Sequence, residues 1–335
     1  MYFKAAVLEK KNKLKIHKLK LPTELLKGQI LVKISYSSIC HTQLQEIDMK
    51  RGKDLYLPHC IGHEGVGVVK KIYKGCKKFR SGDKVCLTWV KSKKTVSKGH
   101  FYTNDKKKII NSGPVHTLNE YAVIDESRIY RLKNFKNFKN QVLLGCAMPT
   151  SFNIFLENKI KKNSKICVFG GGGLGLSFIA IAKYLGYTNI NLLEKNNIKR
   201  KNIGKKFAVK TFSSIKELNK DDFDVVVECT GNIKIFEQSL NYVKKFGGKV
   251  ITVGNYKVGL NVKINPWNVI EGKTLKGVWN SDINFNNKFD KLQKVFNKIS
   301  TNIFFSDRIY KLIDVNRAIK DFKKGKVIRP LIKMI

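Results

Sequence analysis

Four residues able to ligate a metal fall within six positions of the stretch LPHCIGHEGVGVVKKI, Leu57 to Ile72: His59, Cys60, His63 and Glu64. Two further thiols stand apart from them. Cys40 precedes His41 and Thr42 in SSICHTQLQEID, and Cys146 lies in LLGCAMPTSFN. A structural zinc usually takes four ligands arranged in close pairs, whereas a Cys–His–Cys set drawn from distant segments leaves a fourth position open for chemistry. Local crowding nominates Cys60, beside His59. Alternation along an extended segment, however, puts Cys60 and His63 on opposite faces and lets His59 and His63 share one.

A second chemistry-bearing stretch is VFGGGGLGL. Gly170, Gly172 and Gly175 form G-x-G-x-x-G after a strand-like run, with Gly173 and Leu174 opening the apolar helix LGLSFIAIAKYLG. The first glycine permits a tight turn, the second lets backbone approach a pyrophosphate, and the third lets helix pack closely on strand. The helix N-terminus offers N–H groups and a positive dipole end to phosphate. Glu194 ends the next strand, INLLE, about 20 residues on, where a carboxylate binds ribose hydroxyls and repels a 2′-phosphate. NAD is therefore expected over NADP, although Lys195, Lys199 and Arg200 lie close by.

These residues need two kinds of scaffold. Up to about residue 125 the chain reads as short strands such as AAVLEK, KLKIHKL and QILVKISYSSI, separated by turns, which predicts a β-rich, barrel-like unit. Near residue 147 the pattern changes to strands alternating with helices, which predicts an α/β unit with a doubly wound parallel sheet. From about Asp282 amphipathic helices and a last strand, RPLIKMI, follow. Expected boundaries are 1–147, 148–281 and 282–335. The polar loop between Trp89 and Thr117, with His100 and His116, has little to bury.

The 335 residues carry a formal charge of +41, from 66 Lys+Arg against 25 Asp+Glu. Lysine dominates, is spread over every segment and is accompanied by abundant asparagine; arginine, which reads phosphates and bases bidentately, is scarce. A biased genome accounts for this, and no specific nucleic-acid partner is expected. A 42% hydrophobic content supports real cores. No stretch approaches the roughly 18 apolar residues of a membrane span, and the N-terminal stretch lacks a signal-peptide core. A cytoplasmic protein is expected. The seven cysteines include no C-x-x-C pair, so reduced thiols are the default.

Over essentially its whole length the chain resembles the zinc-dependent alcohol dehydrogenases of the medium-chain dehydrogenase/reductase superfamily. The matches are CHT, GHEGVGVV, GDKV, LLGC followed by PT, the glycine turn, GKTLKG and GKVIRPLI, in the family's order. The resemblance implies a GroES-like catalytic domain, a Rossmann-type NAD domain and a C-terminal segment returning to the first. It makes Cys40, His63 and Cys146 the ligands of one catalytic zinc. Thr42 relays the alcohol proton, and Glu64 is a carboxylate able to approach the metal. His41 and Arg329 contact the pyrophosphate, Thr150 packs on the nicotinamide, and Glu194 and Lys199 lie at the adenosine ribose. His59 and Cys60 have no matching role. The resemblance also implies an alcohol or carbonyl substrate and a homodimer or homotetramer.

Three departures stand out. The loop where many relatives hold a structural zinc on four cysteines has none here, so a single zinc is expected. Gln43 stands where relatives often have an aspartate supporting the zinc-bound histidine, and should accept a hydrogen bond in its place. Gln45 replaces a relay histidine and cannot titrate. The polar pair at 43 and 45 leaves a polyol or sugar dehydrogenase as the alternative, and a non-catalytic basic protein binding RNA or membranes as a distant one.

Overall fold

The computed structural model describes residues 1–90, 96–97, 99–279 and 285–334. They form two compact units: one holds Met1–Cys146 with 285–297 and 305–334, the other 147–279 with 298–304. Cys146 is the last residue of the first unit before the chain leaves it. Residues 298–304 group with the second unit rather than with the segment around them, and the expected boundary at 281/282 lies outside the described residues.

In the first unit the alternating KLKIHKLK pairs antiparallel with Tyr2–Lys10, Ala5 opposite His17. A larger sheet runs in the order Ile129–Arg131, Lys84–Thr88, Glu64–Ile72, Gln29–Ser38, Arg329–Lys333, Phe305–Lys311, with Tyr121–Asp125 also on Gln29–Ser38. Ile30, Val32, Ile34, Val85, Leu87, Ile124 and Ile332 fill its core. Register decides which residues meet at its ends. Ser37 faces Gly65, Ser38 faces Leu331, and Glu64 faces Thr88. One end of the sheet therefore gathers the end of the Gln29–Ser38 strand and the starts of Glu64–Ile72 and Arg329–Lys333. Thr88 donates to the Gly145 carbonyl at 2.6 Å. A Cβ on Gly145 would lie 2.7 Å from the Glu64 Cβ, so only glycine lets Cys146 arrive at this end.

The Trp89–Thr117 loop departs from expectation. Among its described residues Tyr102–Thr103 pairs antiparallel with Ile109–Ile110, and Tyr102, Ile110 and His116 are buried. The Tyr102 hydroxyl accepts from the Val123 N–H at 2.8 Å and lies 3.0 Å from His116 Nε2. Short strands turn alternate side chains inward, so a polar composition concealed a small core. Burial pushes the His116 pKa down to about 3, keeping the ring neutral.

In the second unit six parallel strands run in the order Lys210–Phe212, Ile190–Leu193, Ile166–Phe169, Val225–Glu228, Lys249–Thr252, Thr274–Gly277. Numbered along the chain this is 3-2-1-4-5-6, the order of dinucleotide-binding sheets. ICVF, INLL and VVVE are buried throughout, as a sheet covered on both faces requires. The glycine turn follows Ile166–Phe169, at the point where strand order reverses.

Candidate active site

Cys40 leaves the sheet in an extended conformation (φ −106°) and caps the helix His41–Ile47, its sulfur accepting the Thr42 N–H at 3.3 Å. His63 follows the two-residue strand His59–Cys60, but Gly62 intervenes at φ +103° and ends the extended run. The alternation expected between positions 59 and 63 therefore does not apply. Cys60 points into the core with Phe3, Val7 and Tyr102, and burial drives its thiol pKa far up. His63 Nε2 instead lies 3.2 Å from Cys40 Sγ. Cys146 follows the Lys139–Gly145 turn of helix. The ligating atoms of Cys40, His63 and Cys146 all lie within 4.8 Å of one another.

The donor set fits zinc. Zinc–sulfur and zinc–nitrogen bonds of about 2.3 and 2.0 Å put tetrahedral ligand atoms roughly 3.5 Å apart. The thiols are electronically unequal. Burial opposes ionisation of Cys40, but the Cys146 hydrogen bond and the charges of His63 and Arg329 outweigh it and hold its pKa well below the thiol range. The Cys40 hydrogen bond, followed by burial, sends Cys146 up, so the pair shares one proton. For His63, burial favours the neutral ring, but Cys40 and the carboxylates of Glu64 and Glu46 raise its pKa. A soft anion is thus already in place beside the His63 ring, whose Nε2 gives up its proton on binding a metal.

Glu64 is fully buried. One oxygen, Oε1, pairs with Arg329; the other, Oε2, makes no hydrogen bond of normal geometry, with the buried Ser38 hydroxyl as its polar neighbour. An orphaned buried carboxylate oxygen beside three ligands is a polar group with capacity for a cation. Arg329 is 3% exposed and reaches Glu64 and Cys146. In this unit its guanidinium balances the buried charge of Glu64. His41 is exposed, its ring edge-on to Phe322 at 4.5 Å, and Thr42 is half-buried one residue further into the helix.

Gln43 does not act as expected. Its Oε1 accepts the Cys40 N–H at 3.2 Å, which leaves its amide nitrogen facing His63 Nδ1. Glu46 and Asp54, which no motif singles out, lie against His59. His59 Nε2 lies 2.7 Å from Asp54 Oδ2 and 3.9 Å from Glu46 Oε1. The one sequence signal was that Glu46 follows Thr42 by four positions, one helical turn.

In the second unit Gly170 turns at φ +96°. Gly172 caps the helix Gly173–Tyr184 without any side-chain cap, and a Cβ there would meet nothing within 4 Å. A Cβ on Gly175 would sit 1.9 Å from the Gly170 carbonyl oxygen. The first turn of the helix thus presents open N–H groups, a seat for an anion. Leu174 offers its carbonyl to the Ser151 hydroxyl at 3.0 Å. Glu194 accepts the Gly171 N–H on Oε2 at 2.9 Å and the Asn196 N–H on Oε1 at 2.8 Å. The Lys199 N–H is held by the Asn196 cap at 3.0 Å. Thr150 lies buried in the helix Ala147–Asn158.

Comparison with known proteins agrees with this geometry. Residues 26–134 match the family described as alcohol dehydrogenase GroES-like domain, and residues 173–298 the family described as zinc-binding dehydrogenase. An S-(hydroxymethyl)glutathione dehydrogenase of Komagataella pastoris is 24% identical over 91% of this chain and 90% of its own. Among solved structures, benzyl alcohol dehydrogenase from Acinetobacter calcoaceticus has the same fold (TM-score 0.85, 21% identity, 100% of both chains). So has a putative zinc-binding dehydrogenase from Sinorhizobium meliloti bound to NADP (TM-score 0.83, 18% identity, 100% of both chains). With the two family matches spanning most of the chain in the expected order, the protein belongs to the zinc-dependent medium-chain alcohol dehydrogenases.

Proposed function

We propose that this enzyme moves a hydride between an alcohol, or its matching carbonyl compound, and NAD, using one zinc per chain. The observation that carries the reading is the convergence of Cys40, His63 and Cys146 from three distant segments, with three protein ligands rather than four among the described residues. Zinc bound there supplies Lewis acidity toward the substrate hydroxyl, and NAD supplies the hydride acceptor. Cys40 and Cys146 provide soft anionic donors and His63 a neutral one. Arg329 and Glu64 keep the buried charge near balance behind them. Thr42 receives the substrate proton on its hydroxyl. The open N–H groups after Gly172 take the pyrophosphate, and Thr150 packs on the nicotinamide.

Glu194 supports NAD over NADP, because a second anion at the ribose would meet its carboxylate. The absence of cysteine from the Trp89–Thr117 loop supports a single zinc. Seven cysteines without a disulfide suit a reducing, cytoplasmic setting. No helix among the described residues is long and apolar enough to cross a membrane. The Thr274–Gly277 edge strand is exposed along its whole length, beside the exposed Trp267, Ile270 and Trp279, which supports pairing with a second copy in a homodimer or homotetramer.

The test is NAD reduction by the purified, zinc-loaded chain against a panel of simple and aromatic alcohols, S-(hydroxymethyl)glutathione, polyols and sugars. A clear response to one class assigns the substrate and separates the alcohol from the polyol reading. No hydride transfer with any member would refute the proposal.

A further inference from the structure

The expected relay histidine is Gln45, which cannot titrate and whose Oε1 accepts from Arg51 Nε at 3.3 Å. The alcohol proton therefore needs another way out. We propose that Glu46, backed by the His59–Asp54 pair, is the group that takes the proton from Thr42 and passes it to solvent. The inference rests on the dehydrogenase reading of the site.

The geometry is local to one face. Thr42 and Glu46 are four residues apart in the helix His41–Ile47, and residues so spaced share a face. Glu46 Oε1 lies 3.9 Å from His59 Nε2, a separation that one water spans. The same nitrogen is 2.7 Å from Asp54 Oδ2, while His59 Nδ1 lies 2.9 Å from the Cys60 carbonyl, which only accepts. Nδ1 must therefore carry a proton, and Nε2 is the atom that exchanges one with the two carboxylates. Exposure supplies a direction: the His59 side chain is 11% exposed and that of Glu46 31%, so the carboxylate stands at the wetter end. Asp54 Oδ1 is fixed by the Tyr56 N–H at 2.9 Å, leaving Oδ2 for the histidine.

The groups facing Glu46 are His59, His63, Asp54 and Cys40. Burial raises its pKa; His59 and His63 pull it down, while Asp54 and Cys40 push it up, and the balance lies above the ordinary carboxylate range. An acid that ionises nearer neutrality is a better match to a proton that must be both taken and released. The step balances. The substrate O–H bond breaks with its electron pair left on oxygen, Thr42 gains that hydrogen as it gives up its own, and a new O–H bond forms on Glu46. The neutral acid then loses the proton to water or, through it, to the His59–Asp54 pair. No other reactant is required.

The test is Glu46→Gln in the zinc-loaded full chain, with NAD reduction followed across pH alongside zinc content and melting temperature. General acid–base groups are typically worth a hundredfold or more, and partial bypass by water sets the expected loss in kcat at roughly tenfold to a hundredfold on the acid side. The loss should shrink as pH rises and as small carboxylate or imidazole buffers are added, with zinc content unchanged. A merely structural glutamate would give neither the pH dependence nor the rescue. If the wild-type chain turns over and Glu46→Gln keeps its rate and pH profile, the proposal is wrong. Should Glu46→Gln fold poorly, His59→Asn provides the same comparison. An infrared pH titration needs no turnover. One carboxyl titration should vanish in Glu46→Gln and move in His59→Asn. A carboxyl titration that His59→Asn leaves unmoved would overturn the proposal even if the chain transferred no hydride at all, an outcome that would separately refute the dehydrogenase reading.

Discussion

Gly172 and Gly175 belong to one motif, yet the structure gives them opposite sensitivities. A Cβ on Gly175 would stand 1.9 Å from the Gly170 carbonyl oxygen and 3.0 Å from Val168 Cγ1. Ordinary C···O contact is about 3.3 Å, so the helix Gly173–Tyr184 would have to move by more than an ångström from the strand it packs on. Overpacking of this kind costs about 3 kcal/mol. At about 2–4 °C per kcal/mol for a domain of this size, Gly175→Ala should melt roughly 10 °C lower. Gly172 is different. Its φ of −74° and ψ of −169° suit alanine, and the new methyl meets nothing within 4 Å. Losing a glycine cap costs a fraction of about 1 kcal/mol, and stiffening the unfolded chain returns about 0.4–1 kcal/mol. Gly172→Ala should therefore melt within a few degrees of the wild type. The methyl would, however, occupy the space where a pyrophosphate must approach backbone, so NAD affinity should fall at least tenfold, about 1.4 kcal/mol or more. Calorimetric titration with NAD and a melting scan on each variant separate the two effects. If Gly172→Ala binds NAD as the wild type does, the turn is not the pyrophosphate seat; if Gly175→Ala keeps its melting temperature, the close packing is misplaced.

Cys40→Ser should abolish turnover and weaken zinc binding, since the lower-pKa thiol of the pair is lost. Cys60→Ser should keep both and lose only some stability; zinc released by Cys60→Ser but not by Cys40→Ser would mean that the site is built around the wrong cysteine. Dialysis against a chelator followed by metal analysis should account for one tightly held zinc per chain, and two would refute the single-site reading. Glu194→Ala should narrow the preference for NAD over NADP, and should also weaken NAD binding, because the Gly171 and Asn196 N–H groups lose their acceptor. An unchanged ratio of the two catalytic efficiencies would exclude Glu194 from cofactor choice. Gln43→Glu should tighten zinc about tenfold, the scale of outer-shell effects on metal affinity. A carboxylate has an acceptor for the Cys40 N–H and another for a protonated His63 Nδ1, where glutamine has one oxygen for both. Competition with a chromogenic chelator measures it, and an unchanged affinity would show that the amide is no handicap.

What the sequence made legible was whatever its own short-range order encodes. Buried parallel strands read as continuous apolar runs, and ICVF, INLL and VVVE became strands of the 3-2-1-4-5-6 sheet. The glycine turn was legible because its requirement, room for backbone, is met by one residue type. The distant Cys–His–Cys set was legible as a set, but its members were singled out by resemblance rather than by spacing. The residues that escaped are those whose roles depend on register between distant segments. Arg329 was singled out by the resemblance as a pyrophosphate contact, but its pairing with Glu64 was not legible; it is buried there because Leu331 pairs with Ser38, which brings residue 329 to the end of the sheet where Glu64 begins. His59 reads as a packed neighbour of His63, and its partners Asp54 and Glu46 come from a loop and a helix whose approach no local pattern announces. Gln43 was expected to serve His63, but its single oxygen accepts the Cys40 N–H, a competition visible only once both groups have positions. A motif thus names the atoms that meet the metal and the cofactor. The hydrogen bonds that decide which of those atoms carry protons are set by strand register and helix entry, and it is there that this chain's own chemistry departs from what its motifs imply.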